Sequence, residues 1–235
     1  MKLSVVIACY NEENYIKEVI EHCLDCKAPA CIDSREIIVV NDASIDGTKS
    51  ILEKLKNHPQ VQVLHLDINR GKGFCLRKGF DIASGDIVLV QDADLEYDPR
   101  ENFENLLQPF CHNPEIAVVF GSRFLKSRWP SGMRWPNLLV NYLLALTVNL
   151  FYGASISDEA TCYKVIYRRH LGAMKLRSER FEFCPEFTSK VLKLGLRMVE
   201  VPITYHARTT NQGKKIRFTD AFHAMYVLIR ERLSR

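Results

Sequence analysis

Short apolar runs alternate with amphipathic stretches through the first half of the chain. The runs at 3–8, 36–41, 61–67, 87–91 and 116–121 are rich in Val and Ile and have the length of strands. Between them, 14–27, 48–57, 72–84 and 101–112 read as helices. Strands alternating with helices predict βαβ units, and hence an α/β fold with a mainly parallel sheet flanked by helices. The strands are apolar almost throughout, as expected where a sheet is covered on both sides and has no polar face.

The second half is less regular. A basic stretch bearing Trp and Pro (123–136) precedes an apolar helix at 137–151. A polar turn at 155–161 leads to a strand at 162–167, a helix at 185–194 and a strand at 198–205. A loop containing Gly213, Lys214 and Lys215 then precedes a terminal helix from 220 to about 233. Neither repeats nor a low-complexity linker interrupt the 235 residues, so a single domain is expected over 1–235, with halves at 1–121 and 122–235.

Composition changes this picture little: 47% hydrophobic and 26% charged residues are ordinary for a globular protein and argue against disorder. The net charge of +4 fits an anionic substrate or a membrane surface, and is too small to indicate nucleic-acid binding. The chain opens directly on a strand-like run with no signal peptide before it. The eight cysteines are therefore expected to be reduced thiols of a cytoplasmic protein, including the cluster Cys23, Cys26 and Cys31. No apolar run reaches the roughly 18 residues a membrane span needs. The apolar helix beside a basic, Trp-bearing stretch is instead expected to lie on the cytoplasmic face of a membrane.

Chemistry concentrates where strands end, which is where open α/β sheets bind ligands. Tyr10-Asn11-Glu12 follows the first strand, and Asn41-Asp42 closes the second ahead of Ala43-Ser44-Ile45-Asp46-Gly47-Thr48. Arg70-Gly71-Lys72-Gly73 opens a helix, where backbone N–H groups and a cation favour phosphate. After the fourth strand come Asp92, Asp94 and Glu96, which on extended chain point the same way. Such oxygen donors suit Mg²⁺ or Mn²⁺ shared with substrate phosphates. The plainer alternatives are a solvated acidic loop at 92–96 and an ordinary turn and helix cap at 41–48. Arg123, Lys126, Arg128 and Arg134 form a basic run free of acids, with Trp129 and Trp135 alongside.

In order and spacing, Val5-Val6-Ile7-Ala8-Cys9-Tyr10-Asn11-Glu12, Val40-Asn41-Asp42, Arg70-Gly71-Lys72-Gly73 and Asp92-Ala93-Asp94 resemble the family 2 glycosyltransferases of GT-A fold. The resemblance is nearest to the polyprenol (dolichol) phosphate sugar transferases. It continues through Gly121-Ser122-Arg123, Asp158-Glu159-Ala160-Thr161, Glu200-Val201-Pro202-Ile203 and Arg208 to Gly213-Lys214-Lys215, close to the full length. Ala8-Cys9 replaces the usual Pro-containing pair, and 158–161 lacks the usual Gly.

The resemblance implies a GDP- or UDP-linked sugar as donor, bound by Ala8, Tyr10, Glu12, Val40, Asp42, Lys72, Asp92 and Ala93. It implies Mg²⁺ or Mn²⁺ on Asp92, Asp94 and Glu96, with Asp94 and Arg123 catalytic. Arg123, Arg134, Arg208 and Lys214 would face the phosphate of a polyprenyl phosphate acceptor. Such an acceptor is ionised at pH 7 and needs no strong general base, so the expected reaction is one inverting displacement. A saccharide or protein hydroxyl would need a base, for which Asp158, Glu159 and Glu182 are candidates. A further reading is a non-catalytic nucleotide-sugar-binding subunit with an integral-membrane partner.

Overall fold

The structure, a computed structural model, describes residues 1–208 and 218–234. The first half runs β1 (Lys2–Cys9), α1 (Ile16–Asp25), β2 (Ser34–Asn41), α2 (Thr48–Leu55), β3 (Val61–His65), α3 (Lys72–Ile82), β4 (Ile87–Asp92), α4 (Pro99–His112) and β5 (Val118–Ser122). The second half runs α5 (Trp135–Tyr152), β6 (Lys164–Tyr167), the short α6 (Leu171–Met174), α7 (Phe183–Lys193), β7 (Met198–Pro202) and α8 (Phe218–Leu233). Every predicted element is present. Differences are confined to ends, together with the 3₁₀ turn at Arg168–His170 and one-turn α6, both too short to leave a periodic signal. The helix expected from 14 starts at Ile16 because 11–13 lace onto the loop after β2, and the strand expected to reach 205 stops at Pro202.

The seven strands lie in the order β3-β2-β1-β4-β6-β5-β7. Pairing is parallel for β1 with β2 and β4, for β2 with β3, and for β5 with β7, while β6 runs antiparallel between β4 and β5. The sheet is thus an α/β assembly, mostly parallel, with helices on its faces. In β1, β2 and β4 the central Val, Ile and Leu side chains are buried on both faces, which explains their unbroken apolar character. Gly79 lets α3 lie close on β1, since a Cβ there would fall 2.3 Å from Val6 Cγ1. Asp98 caps α4 by accepting from the Arg100 N–H, with Pro99 at the first helical position.

Glu36 ties the start of this sheet together. Its buried carboxylate accepts from Lys2 Nζ (2.7 Å), Ser4 Oγ (2.6 Å) and the Ser84 N–H (2.8 Å). Burial works to raise its pKa, but the hydrogen bonds from Lys2, Ser4 and Ser84 win and lower it from the ordinary 4.5 to about 2. A depressed acid stabilises the fold above its unfolded pKa, and that contribution is lost as pH falls from about 4.5 through about 2. Glu36→Gln is expected to cost about 2 kcal/mol at pH 7 in urea denaturation. The deficit should shrink below pH 4 as the wild-type carboxylate protonates; a pH-independent deficit would contradict the assigned charge.

The expectation of eight reduced thiols needs correction at one pair: Cys31 and Cys111 are joined as a disulfide. These two are only half-buried, on the loop before β2 and the last turn of α4, and their Cα atoms are 5.7 Å apart, within disulfide range. The other six cysteines form no disulfide. Cys23 on α1 and Cys26 at its C-cap are buried, and burial pushes both thiols up. Arg35 Nη1 donates to the carbonyls of both (2.8 Å each) and so anchors the helix end.

Candidate functional site

Backbone chemistry at the strand ends builds a cleft floor. Asn11, in a left-handed conformation (φ 50°), takes the Ile45 N–H on its side-chain oxygen, while its own N–H donates to Ser44 Oγ. The Glu12 N–H donates to Thr48 Oγ1 at 2.9 Å. The loops after β1 and β2 are thereby laced together, and the side chain of Glu12 is held buried beside them. The turn reading of 41–48 also holds, because Asn41 Oδ1 accepts from the Ser44 N–H and Asp46 Oδ1 from the Thr48 N–H, while the N-cap of α2 is Gly47, which has no side chain to cap with.

Asp42 is 3% exposed, and its carboxylate braces the next loop. It accepts from the Arg70 N–H (2.7 Å), the Gly71 N–H (2.8 Å) and Asn69 Nδ2 (2.9 Å). Gly71 adopts φ 98°, a conformation that favours glycine, and releases the chain into α3 with Lys72 as its first residue. Asn69 has no motif to flag it in the sequence.

The acid segment departs from the extended geometry expected of it. Only Asp92 lies on β4; the chain bends at Ala93-Asp94 and turns through Leu95-Glu96. The acids are gathered by tertiary contacts instead. Lys72 Nζ forms a short ion pair with Asp92 Oδ1. Arg208 Nη2 lies 2.5 Å from Asp94 Oδ2 and Nη1 lies 3.2 Å from Glu12 Oε2. The Arg208 N–H donates to Glu96 Oε1 at 2.9 Å. Burial and the nearby Asp92 push the Asp94 carboxyl up to about 7, against the pull of Arg208 and with a further push from Glu96. Lys72 is half-buried, which alone would lower its pKa, yet Asp92 keeps it raised and charged. Among the described residues no three acid, His or Cys groups converge as a complete metal cage. The oxygen-only donors Asp92 and Asp94, the charge of the first working against that of the second, still fit a hard divalent ion. Such ions commonly take one or two carboxylates and complete their shell with substrate phosphate.

The remaining expected positions separate into three groups. Ala8 and Tyr10 are half-buried at the end of β1, and Ala93 is buried beside the acids. Val40 is fully buried in β2, so it is a core residue and offers no side-chain surface to a ligand. Arg123, expected to face an acceptor phosphate, is also corrected. Its Nε and Nη2 each lie 2.7 Å from Asp158, and Nη2 donates to Asn141 Oδ1 at 2.9 Å. Arg134 is exposed at the N-cap of α5, and Lys214 lies outside the described residues. Two polar partners carried no assigned role in the sequence. Asn141 interrupts an apolar helix, the one legible hint, and Glu200 accepts the Ser157 and Asp158 N–H groups at 2.8 and 3.0 Å.

Two of the three candidate bases are engaged, and the third, Glu159, keeps one buried oxygen without a hydrogen bond. Both oxygens of Asp158 serve Arg123. Glu159 is fully buried, and burial raises its pKa. Glu182 Oε1 accepts the backbone N–H groups of Glu179 and Arg180.

The family model described as Glycosyl transferase family 2 matches residues 4–172. Poly-beta-1,6-N-acetyl-D-glucosamine synthase of Staphylococcus epidermidis is 30% identical over 126 residues, 54% of this chain and 29% of that protein. The chain therefore spans under a third of the length of the curated relatives it matches. Glucosyl-3-phosphoglycerate synthase from Mycobacterium tuberculosis, solved with Mn²⁺, UDP-glucose and phosphoglyceric acid, superposes with a TM-score of 0.74 at 18% identity. That match covers 98% of this chain and 79% of the other. Mannosyl-3-phosphoglycerate synthase from Rubrobacter xylanophilus gives a TM-score of 0.73 at 23% identity, over 98% and 72% of the two chains. These neighbours share the GT-A fold.

Proposed function

The chain belongs to glycosyl transferase family 2, and from that premise we propose that it transfers a hexose from a UDP- or GDP-linked sugar to a polyprenyl phosphate, with inversion. The observation that carries the reading is the meeting of four buried or half-buried acids and two cations at the carboxyl ends of β1 and β4: Glu12, Asp92, Asp94 and Glu96 with Lys72 and Arg208. Mg²⁺ or Mn²⁺ held by Asp92 and Asp94, with Glu96 adjacent, supplies charge neutralisation for the departing diphosphate. Lys72, at the N-terminus of α3, and Arg208 are the cations that orient that diphosphate. Residues 8–12 and the loop braced by Asp42 form the nucleoside side. The 122–235 half carries the acceptor.

An acceptor phosphate oxygen attacks the anomeric carbon as the bond to the diphosphate breaks. The electron pair leaves on the nucleoside diphosphate, and no proton need be removed. The engagement of Asp158 by Arg123 and of Glu182 by backbone N–H groups supports an acceptor of this type over a hydroxyl.

A lipid acceptor is also supported by α5. Its 18 residues contain no charged side chain. One face packs through Leu144 and Val148 on α8, while Trp135 (66% exposed), Leu139 (51%), Leu146 (52%) and Leu150 (72%) remain in solvent. Exposed Arg128, Trp129 and Arg134 border its N-terminus, so cations and indole rings flank the apolar stripe as a headgroup layer favours. Among the described residues no helix is long and apolar enough to cross a membrane. Contact along the bilayer surface is thus expected to run through this helix.

Two measurements test the proposal. Product analysis with UDP-glucose and GDP-mannose in Mn²⁺ should show transfer to a polyprenyl phosphate; transfer only to soluble saccharides or to 3-phosphoglycerate would reject the lipid acceptor. Sedimentation with vesicles containing anionic lipid should retain the wild type and release a Leu143→Glu/Leu146→Glu variant by about tenfold in partitioning. Equal partitioning of the two proteins would remove α5 from the membrane contact.

A further inference from the structure

Arg208 already supplies the acid set with a cation. Its guanidinium spans two chain segments, with Nη1 3.2 Å from Glu12 Oε2 and Nη2 2.5 Å from Asp94 Oδ2. Glu96 Oε1 lies 3.9 Å from Nε and accepts the Arg208 N–H at 2.9 Å. The side chain is 11% exposed and lies with its Cζ 5.4 Å from the centre of the Tyr15 ring, so it is packed in place rather than loosely attracted. Lys72 makes the corresponding pair with Asp92.

We infer that Arg208 is a positioning residue that exchanges partners when the donor arrives: it leaves Asp94 for the diphosphate, and so makes metal and nucleotide bind as a coupled pair. The inference rests on the donor reading above. Asp94 Oδ2 cannot give full strength both to a guanidinium at 2.5 Å and to a divalent ion, because the two cations repel across a poorly solvated gap. A bare ion must therefore break a charge-assisted bond between two little-exposed side chains, which is costly. A diphosphate entering with the ion removes that cost, since its oxygens accept the released N–H groups in the same forked geometry. Each ligand then raises the other's affinity by one shared factor. The pairing also keeps Glu12, on the loop after β1, tied to the acids after β4.

Calorimetric titration of Mn²⁺ into the full chain, with and without UDP or GDP, tests this. In the wild type, Mn²⁺ alone is expected to bind weakly, and the better nucleotide to tighten it by about tenfold or more. Arg208→Gln should bind Mn²⁺ alone about tenfold more tightly than the wild type and lose most of the coupling. Arg197→Gln is the charge control, because the exposed Arg197 pairs with Glu115 ahead of β7, outside the acid set and the nucleotide loops. It should leave both quantities within about twofold. An Arg208→Gln protein that binds Mn²⁺ no more tightly than the wild type overturns the inference, as does an Arg197→Gln protein that behaves like Arg208→Gln. Should Arg208→Gln not fold, Arg208→Lys decides, because one ammonium cannot span Glu12 and Asp94 with a fork; undiminished coupling there overturns it too. If neither nucleotide binds to the wild type in Mn²⁺, the donor reading itself fails, and this inference with it.

Discussion

Replacing Asp94 with Asn is expected to lower metal-dependent sugar transfer by about 10³-fold or more while leaving the fold intact. The substitution keeps the shape of a side chain that is 9% exposed and whose Oδ1 accepts the Glu96 N–H at 3.0 Å. It removes the charge that makes the group a ligand for a hard cation. Initial rates with UDP-glucose or GDP-mannose across a Mn²⁺ titration measure the loss; near-normal wild-type transfer in EDTA would end the metal reading. Stability should respond in the opposite sense. The folded pKa of about 7 lies above the ordinary 3.8, so the folded state holds this proton more tightly than the unfolded chain. Stability therefore falls as pH rises from about 3.8 through about 7, and a permanently neutral Asn escapes that fall. At pH 8 without metal, Asp94→Asn is expected to melt no lower than the wild type. A residue that costs stability and whose loss removes activity is kept for its charge.

The largest stability loss is expected from Asp158→Ala, about 3–5 kcal/mol by urea denaturation. Asp158 is fully buried and receives three hydrogen bonds from Arg123, from its N–H (3.0 Å), Nε (2.7 Å) and Nη2 (2.7 Å). Burial alone would lower the pKa of Arg123, but Asp158 overcomes it and holds it well raised; a guanidinium is intrinsically too basic to deprotonate in a protein, so the charge stays when the partner is deleted. The variant then carries an uncompensated cation between β5 and α5. Truncating both partners, as Arg123→Met/Asp158→Ala, should recover part of the loss, since breaking a buried pair costs more than removing it. Additive losses in the double variant would show that the pair is not coupled. This pair also explains why the basic run 123–134 is divided. Its first member braces the second half of the molecule, and the exposed Arg128 and Arg134 are left to meet anions.

The order and type of the elements, and the polar residues at the ends of β1, β2 and β4, were determined by the sequence alone. Both are written in short-range terms: a strand buried on two faces must be apolar throughout, a helix buried on one face must be periodic, and turn chemistry interrupts each. The acids at 92, 94 and 96 were legible for the same reason, although the chain there bends instead of extending. Only the tertiary structure decided which cation meets which acid. Arg208 and Asp94 are 114 residues apart, and Arg123 and Asp158 are 35 apart. Their meetings follow from a strand order in which β6 inserts antiparallel between β4 and β5, with β7 beyond β5. The union of Cys31 with Cys111, 80 residues away, was hidden likewise. Local pattern is fixed by backbone geometry over a few residues. Ion pairing depends on through-space distance and desolvation, which exist only once the sheet has closed its order and excluded water.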